Sequence, residues 1–196
     1  MINHKYKFLF IHIPKTSGRS IEICLNNMCG KDDNARRFNG PKKLLRYPHR
    51  TLDNYYRIYT KQKLKNYFKF TLIRNPYDRM VSEYFYSKRR RLTKTRDFKT
   101  FVMNNEIDTH SYSMHNTPQI DFFINSVRVN YIGRFENLEE DFNIICDKIG
   151  IKRQQLPHTN KTNHKHYTEY YDDETRAIVT KRYARDIEYF DYKFGE

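Results

Sequence analysis

Cysteine is scarce in this chain, with three in 196 residues, at positions 24, 29 and 146. Three thiols cannot form a disulfide framework, so the fold must rest on its packed core, with the cysteines buried as small hydrophobes. Cys-x-x-Cys is absent, and no acidic partner stands at ligand spacing from the histidines, so no metal site is expected. No run approaches ~20 consecutive apolar residues, which excludes a membrane-spanning helix. The first seven residues lack a signal-peptide core and lead at once into an apolar run. Internal repeats and low-complexity linkers are also missing, so one domain over 1–196 is expected.

What the chain has in excess is positive charge and aromatic rings. Lys and Arg number 37 against 23 Asp and Glu, a net charge of +14, which calls for an anionic partner. The 17 Tyr and 14 Phe imply a core built on rings more than on leucine. The densest basic run, Lys88-Arg89-Arg90-Arg91, suits a solvated helix end or a guide for a polyanion.

The most informative segment lies near the start. Phe8-Leu9-Phe10-Ile11 reads as a short buried strand, and Ile21-Glu22-Ile23-Cys24-Leu25 has helical apolar spacing. Between them stand Lys15, Thr16, Ser17, Gly18, Arg19 and Ser20. A strand, a loop of this composition and a helix start make an anion holder. Peptide N–H groups at the helix N-terminus face the ligand, and the helix dipole favours negative charge. Lys15 adds a cation, and the hydroxyls of Thr16, Ser17 and Ser20 add donors. Gly18 lets the backbone approach the ligand. The Walker A order is absent, which argues against a nucleoside triphosphate held in that manner.

A second unit repeats the device. Phe68-Lys69-Phe70-Thr71-Leu72-Ile73 alternates as a strand. Arg74 ends it, Pro76 starts a helix running to about Lys88, and Ser82 lies on that helix. Two cations at strand ends form two anion sites along one sheet edge, where open α/β sheets bind ligands.

Ile13-Pro14-Lys15-Thr16-Ser17-Gly18 resembles the 5′-phosphosulfate loop of the carbohydrate sulfotransferases, including the heparan sulfate 2-O and chondroitin/dermatan types. Ile73-Arg74-Asn75-Pro76-Tyr77-Asp78-Arg79 with Ser82 resembles their 3′-phosphate motif. Gly133 to Leu138 and Leu156 to Thr162 resemble the later half of that family. The resemblance implies an α/β fold like the P-loop nucleotide kinases: three layers, with a short, mostly parallel central sheet flanked by helices. It implies transfer of a sulfuryl group from 3′-phosphoadenosine 5′-phosphosulfate (PAPS) to a hydroxyl, a glycan first among acceptors, with 3′-phosphoadenosine 5′-phosphate (PAP) as product and no metal.

Residue roles follow from the resemblance. Lys15 meets charge on the bridging oxygen, and residues 16 to 20 cradle the 5′-phosphate. Arg19 departs from the family's small hydroxyl residue and either adds charge to the phosphate or points to solvent. Arg74 and Ser82 hold the 3′-phosphate; the bland alternative for Arg74 is an ion pair with Asp78. His49 is the candidate base, with His115 as the alternate and Gln119 as an acceptor contact. Thr162 and Lys165 belong to a loop that closes over the nucleotide in the family. His12 reads as a structural, hydrogen-bonded residue. A soluble microbial or viral form in the cytoplasm is expected, or a Golgi form separated from its anchor.

Further along, residues 30–45 read as a loop and Phe98 to Val102 as a short helix. Val127 to Ile132 reads as a strand ending at Gly133-Arg134. Asn137 with Glu140 forms a capping box for a helix that stops at Gly150. Asp172 caps a last helix through Ile178, Tyr183 and Ile187. Two other classes stay open. A nucleoside-triphosphate phosphotransferase would need magnesium ligands, and a non-catalytic polyanion-binding module would use the charge and tyrosines alone.

Overall fold

The computed structural model describes residues 1–30, 49–104, 114–124, 128–157 and 165–196. These pack as two compact units, Met1–Ile73 with Asp121–Asn160 and Arg74–Ile120 with Lys161–Glu196.

The first unit carries the sheet. Strands β1 (Ile2–Asn3), β2 (Phe8–Ile11), β3 (Phe68–Ile73) and β4 (Tyr131–Arg134) lie side by side in that order. β1 runs antiparallel to β2, and the β2–β3 and β3–β4 pairs are parallel. All four residues of β2 are fully buried, the mark of a strand covered on both faces. In register, Phe8 faces Phe68, Phe10 faces Phe70 and Ile11 faces Thr71. The Thr71 hydroxyl donates to the Ile11 carbonyl at 2.8 Å, which ties the two strand ends together.

Three helices accompany the sheet: α1 (Gly18–Cys29), α2 (Leu52–Tyr59) and α5 (Leu138–Ile149). Phe8, Phe10, Phe70 and Leu72 meet Ile21, Cys24 and Leu25 of α1 and Phe142, Ile145, Cys146 and Ile149 of α5 in one core. The fold is mixed α/β with a mostly parallel sheet flanked by helices, and its core is ring-rich as composition implies. All three thiols are free. Burial raises the Cys24 thiol and pushes Cys146 up to about 11, so both stay protonated at neutral pH.

Two local expectations are corrected here. β4 begins at Tyr131, later than expected, and ends at Gly133-Arg134 as expected, where these residues pair with Leu72 and Ile73 of β3. Asn137 makes no side-chain cap bond. A 3₁₀ turn over Phe135–Asn137 leads straight into α5, so Asn137 never adopts the extended backbone a capping box needs. Asp141 takes over: its carboxylate accepts from the Arg134 N–H at 2.5 Å and from the Tyr131 hydroxyl. Gly133 makes a close approach there, since a Cβ would stand 3.0 Å from that of Asp141. Gly150 ends the helix at φ 72° as expected.

The second unit is helical: α3 (Pro76–Arg89), α4 (Phe98–Met103), α6 (Asp173–Arg182) and α7 (Ala184–Phe190). Tyr77, Met80, Val81 and Tyr84 of α3 pack with Phe98, Phe101 and Val102 of α4 and with Val179 and Tyr183. Asp172 and Thr175 form the reciprocal cap of α6. The expected single last helix breaks at Tyr183, whose φ of −113° and ψ of 26° leave the helical region. Among the described residues no helix is long and apolar enough to cross a membrane.

Phe142 is 1% exposed and joins α5 to the sheet. Phe142→Ala should lower the unfolding free energy by about 3–5 kcal/mol, read as a lower urea midpoint at unchanged slope.

Candidate functional site

The loop between β2 and α1 is built by unusual backbone geometry. Lys15 and Ser17 both take left-handed conformations, at φ 68° and 63°. Each costs about 1–2 kcal/mol for a residue with a Cβ, and such conformations gather at functional sites. Alternation of this kind folds peptide N–H groups into a concave nest for an anion. Ser17 stands at the N-cap of α1 without a side-chain cap bond, and the first turn of α1 holds no acidic residue. The helix start is thus electrostatically suited to a negative ligand.

The structure assigns the loop's hydroxyls differently from expectation. Thr16 is fully buried and its hydroxyl donates to the Ile13 carbonyl at 3.0 Å. Its one proton holds the turn together, so what Thr16 offers an anion is its peptide N–H. Ser20 is buried in the first turn of α1, Lys15 and Ser17 are half-buried, and Arg19 is exposed.

Gly18 has a second reason to be glycine. A Cβ there would lie 2.0 Å from Cδ2 and 2.2 Å from Nε2 of His12. The His12 ring stacks on Phe10 at 5.6 Å and meets His49 edge-on at 4.5 Å. Its Nδ1 faces Glu22 Oε1 at 3.1 Å, off the line a good hydrogen bond needs. Burial pushes the Glu22 carboxyl up, but His12, the chain's amino terminus and Arg19 outweigh it, so the net shift is downward. His12 follows the end of β2 instead of lying inside the strand as expected, and its ring forms the wall on which helix α1 begins.

His49 lies beside the same strand end. Its Nδ1 meets the His12 carbonyl at 3.1 Å. A carbonyl only accepts, so Nδ1 carries the proton and the ring's lone pair sits on Nε2. That tautomer is the one a general base needs. His49 therefore belongs to the same unit as the anion loop, 34 residues after Lys15 in the chain.

In the second unit, Arg74 is 7% exposed and follows directly on β3. Its Nε donates to Asp78 Oδ2 at 2.8 Å, the ion pair weighed as the bland alternative. The Asp78 contact fixes the guanidinium at its Nε. Asn75, which sequence reasoning passed over, caps α3: its Oδ1 accepts from the Tyr77 N–H at 3.0 Å. Its amide donates to the Lys193 carbonyl at 2.9 Å. Asn-Pro before a helical pattern is a cap signal that could have been read. Ser82 is 5% exposed, so it is no ordinary surface serine.

His115 and Gln119, expected at the acceptor, are both buried and engaged. His115 Nδ1 meets Glu83 Oε2 at 2.6 Å, and Glu83 is 1% exposed. Gln119 is fully buried with its amide on the Arg74 backbone. A side chain held in this way is placed to position neighbours, which corrects the acceptor-contact reading of Gln119. Lys165 is exposed and pairs with Glu169 at 3.1 Å; Thr162 lies outside the described residues.

Gly18→Ala should overpack the loop and cost about 1–3 kcal/mol. If the His12 ring is the cause, His12→Ala added to Gly18→Ala recovers stability in a thermal-melt cycle; strictly additive losses would contradict it.

Residues 1–193 match the model of the sulfotransferase family. An uncharacterized protein of Archaeoglobus fulgidus is 34% identical over 95 residues, covering 48% of this chain and 77% of that protein. The crystal structure of a sulfotransferase from Alicyclobacillus acidocaldarius superposes with a TM-score of 0.52 over 96% of both chains at 16% identity, a likeness of fold. With its length matched almost end to end, the chain belongs to the sulfotransferase family.

Proposed function

We propose that this chain moves the sulfuryl group of PAPS to a hydroxyl of a carbohydrate acceptor. The observation that carries the reading is the β2–α1 loop. Two left-handed residues, Lys15 and Ser17, lead into an acid-free helix start. Buried Arg74 at the end of β3 supports a second phosphate contact. Each group by itself suits one phosphate, and PAPS carries phosphates at its 5′ and 3′ positions.

When bound, the donor supplies the sulfuryl group and departs as PAP. The chain's residues do the rest. His49 Nε2 takes the proton of the attacking hydroxyl as the new oxygen–sulfur bond forms. Lys15 stabilises charge on the bridging oxygen as the old sulfur–oxygen bond breaks. The peptide N–H groups of residues 16 to 20 hold the 5′-phosphate, and Arg74 with Ser82 holds the 3′-phosphate. Stabilisation by pre-placed donors is worth 10²–10³-fold per group in related chemistry. His49 is preferred to His115 as base because its Nδ1–H···O=C bond fixes the basic nitrogen. The carbohydrate acceptor rests on the likeness of four sequence blocks to the carbohydrate sulfotransferases.

Two variants test the assignment by steady-state kinetics with PAPS. Lys15→Ala should lower turnover by about 10²-fold or more with unchanged far-UV dichroism; wild-type turnover would remove it from the mechanism. Arg74→Ala should weaken PAP by about tenfold or more while adenosine 5′-phosphate binds as before; equal losses would overturn the 3′-phosphate role.

A further inference from the structure

Arg74 sits where the backbone is hardest to satisfy. It follows the last residue of β3 and precedes the cap of α3, at the junction of ladder and helix. One side chain supplies both partners. Gln119 Oε1 accepts from the Arg74 N–H at 2.9 Å, and Gln119 Nε2 donates to the Arg74 carbonyl at 2.8 Å. The amide acts as a single rung of sheet made by a side chain.

Gln119 is itself held by a buried acid. Asp186 Oδ2 accepts from the Gln119 N–H at 2.7 Å, and Oδ1 accepts from the Ile120 N–H at 2.9 Å. Asp186 and Gln119 are both fully buried. From the other side, Arg79 donates to the His115 carbonyl at 2.8 Å and to the Thr117 carbonyl at 3.0 Å. Desolvation raises the Asp186 carboxyl, with Arg79 and the two N–H bonds opposing it. Burying a charge is a poor route to stability, so such a group is better explained by position. The Arg74 guanidinium is meanwhile fixed at its Nε by Asp78.

We propose that Gln119 and Asp186 are positioning residues that set the orientation of Arg74 and thereby the preference for nucleotides carrying a 3′-phosphate. The chain of contacts runs from Asp186 to the Gln119 backbone, through the Gln119 amide to the Arg74 peptide, and so to the fork. This inference rests on the reading of Arg74 as the 3′-phosphate ligand. A planar fork loses most of its bidentate advantage when its base tilts, so the effect falls on phosphate geometry rather than on charge.

The test is titration calorimetry of PAP and adenosine 5′-phosphate with wild type, Gln119→Met, Gln119→Glu and Asp186→Asn. Wild type must prefer PAP; if it does not, the donor reading fails and this inference falls with it. Given that preference, Gln119→Met and Asp186→Asn should weaken PAP by about tenfold and leave adenosine 5′-phosphate unchanged. Gln119→Glu, which keeps the acceptor for the Arg74 N–H, should fall between. Equal losses for both nucleotides, or no loss, would overturn the proposal while sparing Arg74 itself. Hydrogen exchange on wild type keeps the test decisive if a variant misfolds. PAP should protect the amides of Arg74, Gln119 and Ile120 together, and adenosine 5′-phosphate should not; protection of Arg74 without the other two would refute the linkage.

Discussion

The packing of Gly18 against the His12 ring is the constraint on which the anion loop depends. A loop that enters the left-handed region at Lys15 and again at Ser17 is strained. It persists because both ends are fixed. The Ile11 end is tied to β3 through Thr71, and the Gly18 end is pressed on His12 where a Cβ would not fit. Thr16 closes the turn internally through the Ile13 carbonyl. The same ring contacts His49, whose proton position is set by the His12 carbonyl. One histidine at a strand end thus supports the helix start, the loop and the candidate base.

The second unit meets its problem by a different route. Arg74 carries a buried charge at a junction between strand and helix. Asp78 steadies its side chain and Gln119 its backbone. Asn75 and Pro76 then start α3 without a strained step. The basic run after Tyr86 falls at the last turn of α3 and beyond it, with Arg89 and Arg90 exposed. Cations there complement the helix dipole.

Much of this was legible in the residues because it is local. The bounds of β2 and β3, the helix from Pro76, the stop at Gly150 and the Asp172 cap follow from periodicity and end signals within a few positions. The anion loop was legible because Lys, Thr, Ser and Gly at a strand-to-helix junction have few other uses. What escaped is long-range. Gly18 reads as room for a ligand until the His12 ring is seen beside it. Gln119 reads as an acceptor contact, yet its partners lie 45 residues upstream and 67 downstream. Asn137 looked like a cap because the 3₁₀ turn before it leaves no mark in composition.

On the proposed reading the chain binds a doubly phosphorylated adenosine. Calorimetric titration of the wild-type chain with PAP, and separately with ATP and magnesium, tests it most directly. The account predicts one saturable site for PAP without metal and markedly weaker binding of magnesium-ATP. Magnesium-ATP binding as tightly as PAP, or more tightly, would contradict it.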